Sequence, residues 1–419
     1  MSHDLDALRA QARAGDASAG YRLGQVLVAH MDMDAALLAY RSAAEAGHAG
    51  ARVELARMLL HGIVGAPDPA AAVDWLQRAE ADGDAVAAYH LALVALGGVA
   101  LPRDGRINQR VARAVEAGYP PALRAAAIHF GRRAQADDQA LALQLFERAA
   151  AAGDPVSAQL LAERLRRGEG GPVNPDVAAS LDAQLAAHGR TGLPAIDAAM
   201  PWQPASVPHQ LAFEDALAMP PAELLAHRPH VSTIEGLLSA DECRLLVACA
   251  DPLLRASQTV DPVTGAALAM PLRTSSDASV DPVLEDLALR AVQLRLCAAA
   301  GIDLVHAEHL IVLRYAPGQQ YRPHRDYLPQ AAIDGDRPQA GNRARTICVY
   351  LDAVEAGGGT EFPVAGVTVT PRAGRAVVFD NLLADGRPDP DSLHAGLPVE
   401  RGVKWLATLW LRQRPYRDW

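Results

Sequence analysis

Lysine is almost missing from this chain: of 39 basic residues, Lys404 alone is a lysine and the rest are arginine. Positive charge as a whole is in deficit, since 49 Asp and Glu leave a net charge of −10. That balance lacks the basic stripe a general nucleic-acid binder needs for phosphates. Arginine clusters such as Arg164-Leu165-Arg166-Arg167 therefore read as solvated helix faces. Cysteine is scarce too. Cys243, Cys249, Cys297 and Cys348 form no CxxC pair and have no metal-type spacing, which predicts buried free thiols in a reducing compartment. No apolar run is long enough to span a bilayer, and the opening Met1-Ser2-His3-Asp4-Leu5-Asp6 has neither a basic region nor an apolar core. A cytoplasmic protein is expected.

What is abundant is alanine, which dominates the half of the chain that is hydrophobic. At 419 residues the chain should hold two or three domains. Its first part repeats itself. Ala14-Gly15-Asp16, Ala46-Gly47-His48, Asp82-Gly83-Asp84, Ala117-Gly118-Tyr119 and Ala152-Gly153-Asp154 recur at intervals of 32, 36, 35 and 35 residues. Each glycine follows one alanine-rich helical stretch and precedes another, as the left-handed residue after a helix end requires. Two helices in a period of this size predict an α-helical solenoid over residues 1–170. Leu23-Gly24 and Trp75-Leu76-Gln77-Arg78-Ala79 make it resemble Sel1-like repeats, relatives of the tetratricopeptide type. The third repeat, with Gly97-Gly98-Val99-Ala100-Leu101-Pro102, departs from that pattern. His61, His90 and His129 have no ligand-like neighbours in sequence and read as structural.

Residues 171–228 are broken by Gly170-Gly171-Pro172, Asn174-Pro175, Pro201-Trp202-Gln203-Pro204 and Pro220-Pro221. Short helices are expected between the breaks, at Asp176–His188 and Pro221–His227, so this stretch reads as a structured connector in which Trp202 packs against a neighbour. From 229 to 419 the pattern changes. Helices are expected at Ala240–Ala250 and Val283–Ala300. Strands are expected at Glu308–Tyr315, Thr346–Asp352, Val367–Thr370, Ala376–Phe379 and Val403–Leu411. Short strands with Gly and Pro turns predict a jelly roll. Two long polar loops, Ser257–Leu272 and Tyr327–Asn342, have the length of lids or binding loops.

The chemistry concentrates in Tyr321-Arg322-Pro323-His324-Arg325-Asp326 and in the later Ser392-Leu393-His394. On a strand, His324 and Asp326 at i and i+2 share a face, and a distant histidine can complete a triangle with them. Two imidazoles and one carboxylate cap one face of Fe(II) and leave the other positions open. Ten residues beyond His394, Lys404 opens the apolar run Lys404-Trp405-Leu406-Ala407-Thr408-Leu409-Trp410. A buried ammonium is costly without an anion, and a dicarboxylate co-substrate would supply one.

These motifs, with Leu272-Arg273-Thr274-Ser275, Leu313-Arg314-Tyr315-Ala316-Pro317-Gly318, Tyr350-Leu351-Asp352, Gly357-Gly358-Gly359-Thr360-Glu361-Phe362-Pro363 and Pro371-Arg372-Ala373-Gly374, resemble the prolyl 4-hydroxylase type of Fe(II)/2-oxoglutarate dioxygenase. The resemblance runs from about Pro229 to the C-terminus and implies a double-stranded β-helix. It implies that His324, Asp326 and His394 are the iron ligands and that Lys404 binds the distal carboxylate of 2-oxoglutarate. Tyr315 and Thr360 match positions whose hydroxyls assist that carboxylate, and Trp410 matches a tryptophan near the active site or packs in the core. One departure is that no acid precedes Thr360, where the family has Gly-Gly-Glu-Thr. The reaction implied is oxidative decarboxylation of 2-oxoglutarate to succinate and CO2 coupled to hydroxylation of a C–H bond, with ascorbate often keeping the iron reduced. The implied substrate is a peptidyl proline, and the binding-type architecture of the repeats makes them the element expected to recruit it. A free amino acid or other small molecule, and a scaffold with a silent oxygenase domain, are the alternatives.

Overall fold

In the computed structural model, residues 2–198, 207, 209–260, 267–268 and 273–419 are described. Trp202 with its flanking prolines, Leu272, and most of the expected Ser257–Leu272 loop lie outside them. The first eleven helices are α1 (Ser2–Arg13), α2 (Ala17–Ala29), α3 (Met33–Glu45), α4 (Ala49–His61), α5 (Pro69–Ala81), α6 (Ala85–Gly97), α7 (Ile107–Glu116), α8 (Pro120–Gly131), α9 (Ala136–Ala151), α10 (Pro155–Arg167) and α11 (Pro175–Ala187). The recurring Gly-Asp marks build their boundaries in two ways. Gly15, Gly47, Gly83, Gly118 and Gly153 all have positive φ, from 75° to 98°. The residue after each of four of them then caps the next helix: Asp16, His48, Asp84 and Asp154 accept backbone N–H groups at the starts of α2, α4, α6 and α10. Small residues set the helix spacing. A Cβ on Gly24 of α2 would lie 2.4 Å from the Tyr40 ring of α3. Among the described residues no helix is long and apolar enough to cross a membrane.

The chain forms two compact units, Met1–Ala122 with Trp419, and Leu123–Asp418. The repeat pattern extends past this division, because α9, α10 and α11 belong to the second unit. There α10 packs against α12 (Ala240–Ala250), and α13 (Leu287–Ala300) and the short α14 (Gln330–Gly335) follow. Arg164 does not lie on a solvated face as expected. It is 1% exposed and its Nη2 meets Asp241 Oδ2 of α12 at 2.6 Å. Arg132 pairs with Glu242, which also takes Arg295 at 2.8 Å and closes a capping box with Ser239. The reason is that α12 begins with two acids that are buried, and buried carboxylates require partners. Gly131 makes the approach possible, since a Cβ there would stand 2.3 Å from Asp241 Oδ2.

The strands are β1 (Glu223–His227), β2 (His230–Ile234), β3 (Arg255–Ala256), β4 (Thr259–Val260), β5 (Ala267–Leu268), β6 (Ser276–Val280), β7 (Leu310–Tyr315), β8 (Tyr321–His324), β9 (Arg343–Tyr350), β10 (Ala356–Gly357), β11 (Thr360–Phe362), β12 (Val367–Val369), β13 (Ala376–Asp380), β14 (His394–Gly396), β15 (Val399–Arg401) and β16 (Lys404–Arg412). An eight-stranded sheet in the order β1-β2-β13-β9-β16-β7-β6-β3 faces a four-stranded sheet, β12-β11-β14-β8. Tyr315, Tyr350, Phe379 and Leu406 from the first meet Phe362 and Val369 from the second in one apolar core. This is the double-stranded β-helix. The helix expected at Pro221–His227 is instead β1, antiparallel to β2. Glu223, Leu224 and Ala226 are ordinary helix formers, and pairing with a strand of the sheet overrides that preference.

Candidate active site

The two histidines meet because their strands pair. His394 of β14 lies opposite His324 of β8 in the four-stranded sheet, seventy residues apart in sequence. Asp326 lies just beyond the end of β8, so it reaches the same point from an irregular segment and not from the strand expected for it. His324 Nε2 is 3.5 Å from Asp326 Oδ1, and His394 Nε2 is 3.8 Å from Asp326 Oδ2. The three donor atoms lie within 4.8 Å of one another.

Their protonation suits a metal. His324 Nδ1 is 2.8 Å from the Arg322 carbonyl and His394 Nδ1 is 3.0 Å from the Ser392 carbonyl. A carbonyl only accepts, so each Nδ1 carries the proton and each Nε2 presents its lone pair to the centre. Burial and the neighbouring His324 push the His394 imidazole down to about 4, which keeps it neutral. Burial opposes ionisation of Asp326, but the imidazoles of His394 and His324 and the Arg343 guanidinium outweigh it and hold the carboxyl well below its usual range. Asp326 Oδ2 accepts from Thr346 Oγ1 at 2.8 Å and from Trp410 Nε1 at 2.9 Å. Two imidazoles and one carboxylate, each oriented by a second group, fit a divalent cation that keeps open positions.

A cavity runs from this triangle to Lys404 and is lined by Tyr315, Thr360, Cys348 and Thr408. Lys404 on β16 lies opposite Tyr315 on β7 and is 1% exposed. Its Nζ stands 5.2 Å from the Tyr315 ring centre and 5.3 Å from that of Tyr350. It forms no ion pair among the described residues. Burial, offset in part by Cys348 and Asp352, pushes it down to about 8. Thr360 Oγ1 is 2.6 Å from the Tyr350 hydroxyl, which itself donates to the Val369 carbonyl at 3.0 Å.

Residues 310–412 match the 2OG-Fe(II) oxygenase superfamily. Over 206 residues, 46% of this chain and 72% of its own length, prolyl 4-hydroxylase 1 of Arabidopsis thaliana is 34% identical. This chain belongs to the prolyl 4-hydroxylase family. It is a 2-oxoglutarate-dependent dioxygenase, and the family implies Fe(II) and 2-oxoglutarate. The prolyl 4-hydroxylase subunit alpha-1 of Mus musculus is 35% identical over 188 residues, which span 45% of this chain and 35% of that subunit. A Sel1 repeat protein from Oxalobacter formigenes aligns over 43% of this chain and 75% of its own, at 24% identity and a TM-score of 0.38. That likeness is too slight to add to the helix pairing described above.

The structure brings His324, Asp326, His394, Lys404, Tyr315, Thr360 and Trp410 to one cavity. It adds residues to which the sequence attached no role. Thr346, which pairs with Trp410 across β9 and β16, takes a bond from Asn381 Nδ2 at 2.8 Å and passes one to Asp326. The Arg343 guanidinium lies 3.8 Å over the Trp410 ring and is held by Glu308 at 2.8 Å. Tyr321 stacks on His324 with ring centres 3.3 Å apart. Such roles depend on which strands are neighbours, and only Tyr321 carried a local signal, three residues before His324.

Proposed function

We propose that this dioxygenase hydroxylates a prolyl residue of a peptide or protein, consuming 2-oxoglutarate and O2 and yielding succinate and CO2. The observation that carries the reading is the placement of a buried ammonium, with no ion pair among the described residues, in the same cavity as three convergent donors of metal-ligand type. His324, Asp326 and His394 hold iron in this reading, and Lys404, with Tyr315 and Thr360, takes the distal carboxylate of 2-oxoglutarate. Bound iron supplies the activation of O2. Trp410 and Thr346 hold Asp326 through Oδ2, while Oδ1 lies 3.5 Å from His324 Nε2. The apolar walls exclude water, so the Lys404 charge acts through little solvent. Ascorbate serves as the reductant that restores the iron. Residues 1–170 act as a repeat domain that recruits the substrate to the 229–419 oxygenase domain through the 171–228 connector.

Mass spectrometry of proline-containing peptides incubated with the protein, Fe(II) and 2-oxoglutarate tests the reading. One added oxygen on proline, matched by succinate, is expected. Succinate formed with free amino acids or other small molecules, and none with peptides, would overturn the peptidyl assignment. No succinate under any condition would point to a silent domain.

A further inference from the structure

Beside the metal donors, an open groove is lined by Arg255, Arg273, Arg325 and Arg343 against Asp277 and Asp326. On a chain of net charge −10 this is a local reversal of sign. Two of the four arginines are committed. Arg343 is held by Glu308 at 2.8 Å, and Arg273, largely buried, pairs with Asp277 at 3.4 Å. The other two are not. Arg255 is 76% exposed and only reaches the same Asp277 at 4.0 Å. Arg325 is exposed, and its Nε bonds the neutral Pro390 carbonyl at 2.8 Å. Among the described residues neither has a carboxylate of its own.

Their positions differ. Arg255 sits on β3, the end strand of the eight-stranded sheet, whereas Arg325 follows β8 of the four-stranded sheet and lies between His324 and Asp326 in sequence. The groove that leads to the metal donors therefore carries two loosely held cations, one on the edge strand β3 and one just beyond β8. With a Debye length of about 8 Å at physiological salt, these charges are felt inside the groove while the acidic remainder of the surface is largely screened. We propose that Arg255 and Arg325 determine specificity, selecting peptides in which Asp or Glu flanks the target residue. This inference rests on the reading of the groove as the seat of a peptide substrate.

The test uses the full-length protein and acetylated, amidated, fluorescein-labelled peptides with one proline flanked on either side by Glu, Gln or Lys. Affinity is read by fluorescence anisotropy, and oxygen addition is read separately by mass spectrometry. The Glu peptides should bind tighter than the Gln peptides by roughly two- to fivefold for each arginine, and the advantage should fade with added salt. Arg255→Glu and Arg325→Glu should each turn the preference towards Lys, and the flank on which this occurs assigns the arginine. Thermal unfolding checks that both variants fold. Equal affinity for all peptides, absence of binding, or a Glu preference that survives both reversals would overturn the inference. Selective binding without oxygen on proline would leave it standing and remove the prolyl reading, and prolyl oxidation without charge preference would do the reverse.

Discussion

The repeats of the two compact units are written in the same alanine-rich style and both bury an arginine against acids, Arg110 on Glu80 at 2.9 Å in the first and Arg164 on Asp241 at 2.6 Å in the second, but they rely on such pairs to different degrees. In Met1–Ala122 the helices meet through small apolar residues, such as Ala36, Ala43, Ala44 and Ala51 around Tyr40 and Leu55, and an ion pair such as Arg78–Asp74 lies exposed at 2.8 Å. In Leu123–Asp418 the later repeat helices set buried arginines against the acids of α12, and the same unit carries the candidate active site. A repeat can thus keep its helical rhythm while the share of its arginines buried against acids rises. The sequence pattern records the rhythm and not the change.

The contrast breaks most severely at the metal donors. Asp326→Ala removes the only carboxylate of the three proposed ligands, so turnover should vanish while far-UV circular dichroism stays unchanged; full activity in this variant would refute the ligand assignment. Lys404→Ala comes next. Stranding a buried carboxylate costs roughly 2 to 5 kcal/mol, or about thirty- to several-thousand-fold in 2-oxoglutarate affinity, measured by anaerobic titration of the Fe(II) protein. With Lys404 held near 8, the parent should also lose affinity by about tenfold per pH unit above that value, as the ammonium gives up its proton. A flat profile from pH 7 to about pH 10 would count against the assignment.

The comparison between the units is sharpened by a matched pair of arginines. Arg164→Ala leaves Asp241 buried beside Arg244 alone and should destabilise the second unit by about 3 to 5 kcal/mol. Arg78→Ala in the first unit removes an exposed pair and should cost less than about 1 kcal/mol. Thermal or denaturant unfolding of the two variants, each against the parent, gives the ratio. Equal losses would mean that the buried network is no stronger than a surface contact.

A smaller effect concerns Asp352, whose carboxyl is pushed up to about 7 by burial, against the Trp405 N–H and Lys404, which favour its charged form. The folded state therefore holds a proton that the unfolded chain has released by about pH 4. The stabilisation is full below that pH and is lost as pH rises through 7, with an upper bound of about 4 kcal/mol. Asp352→Asn keeps an acceptor for the Trp405 N–H, which lies 2.9 Å from Oδ1. Its thermal midpoint should consequently fall less than the parent's between pH 5 and pH 8. A drop as large as the parent's would place the pH dependence elsewhere.

Sequence alone determined whatever rests on contacts a few residues long. The glycines at the five recurring marks and the polar residues that cap the following helices, such as Asp16, Asp84 and Asp154, are local devices, so the solenoid of the first part was legible from its period. His324 and Asp326, two residues apart, and the solitary Lys404 stood out for a similar reason: their chemistry is rare enough to be seen without a partner. Tertiary structure decided the rest. Strand pairing set His394 against His324, brought the Trp410 N–H and the Thr346 hydroxyl to one oxygen of Asp326, and turned the helix-forming Glu223–His227 into a strand. It also took Arg164 out of solvent, because two carboxylates at the start of α12 could be buried only where guanidinium groups met them. Those partners lie from twenty to more than a hundred residues apart, and no pattern in a single sequence encodes which distant group will supply the missing charge.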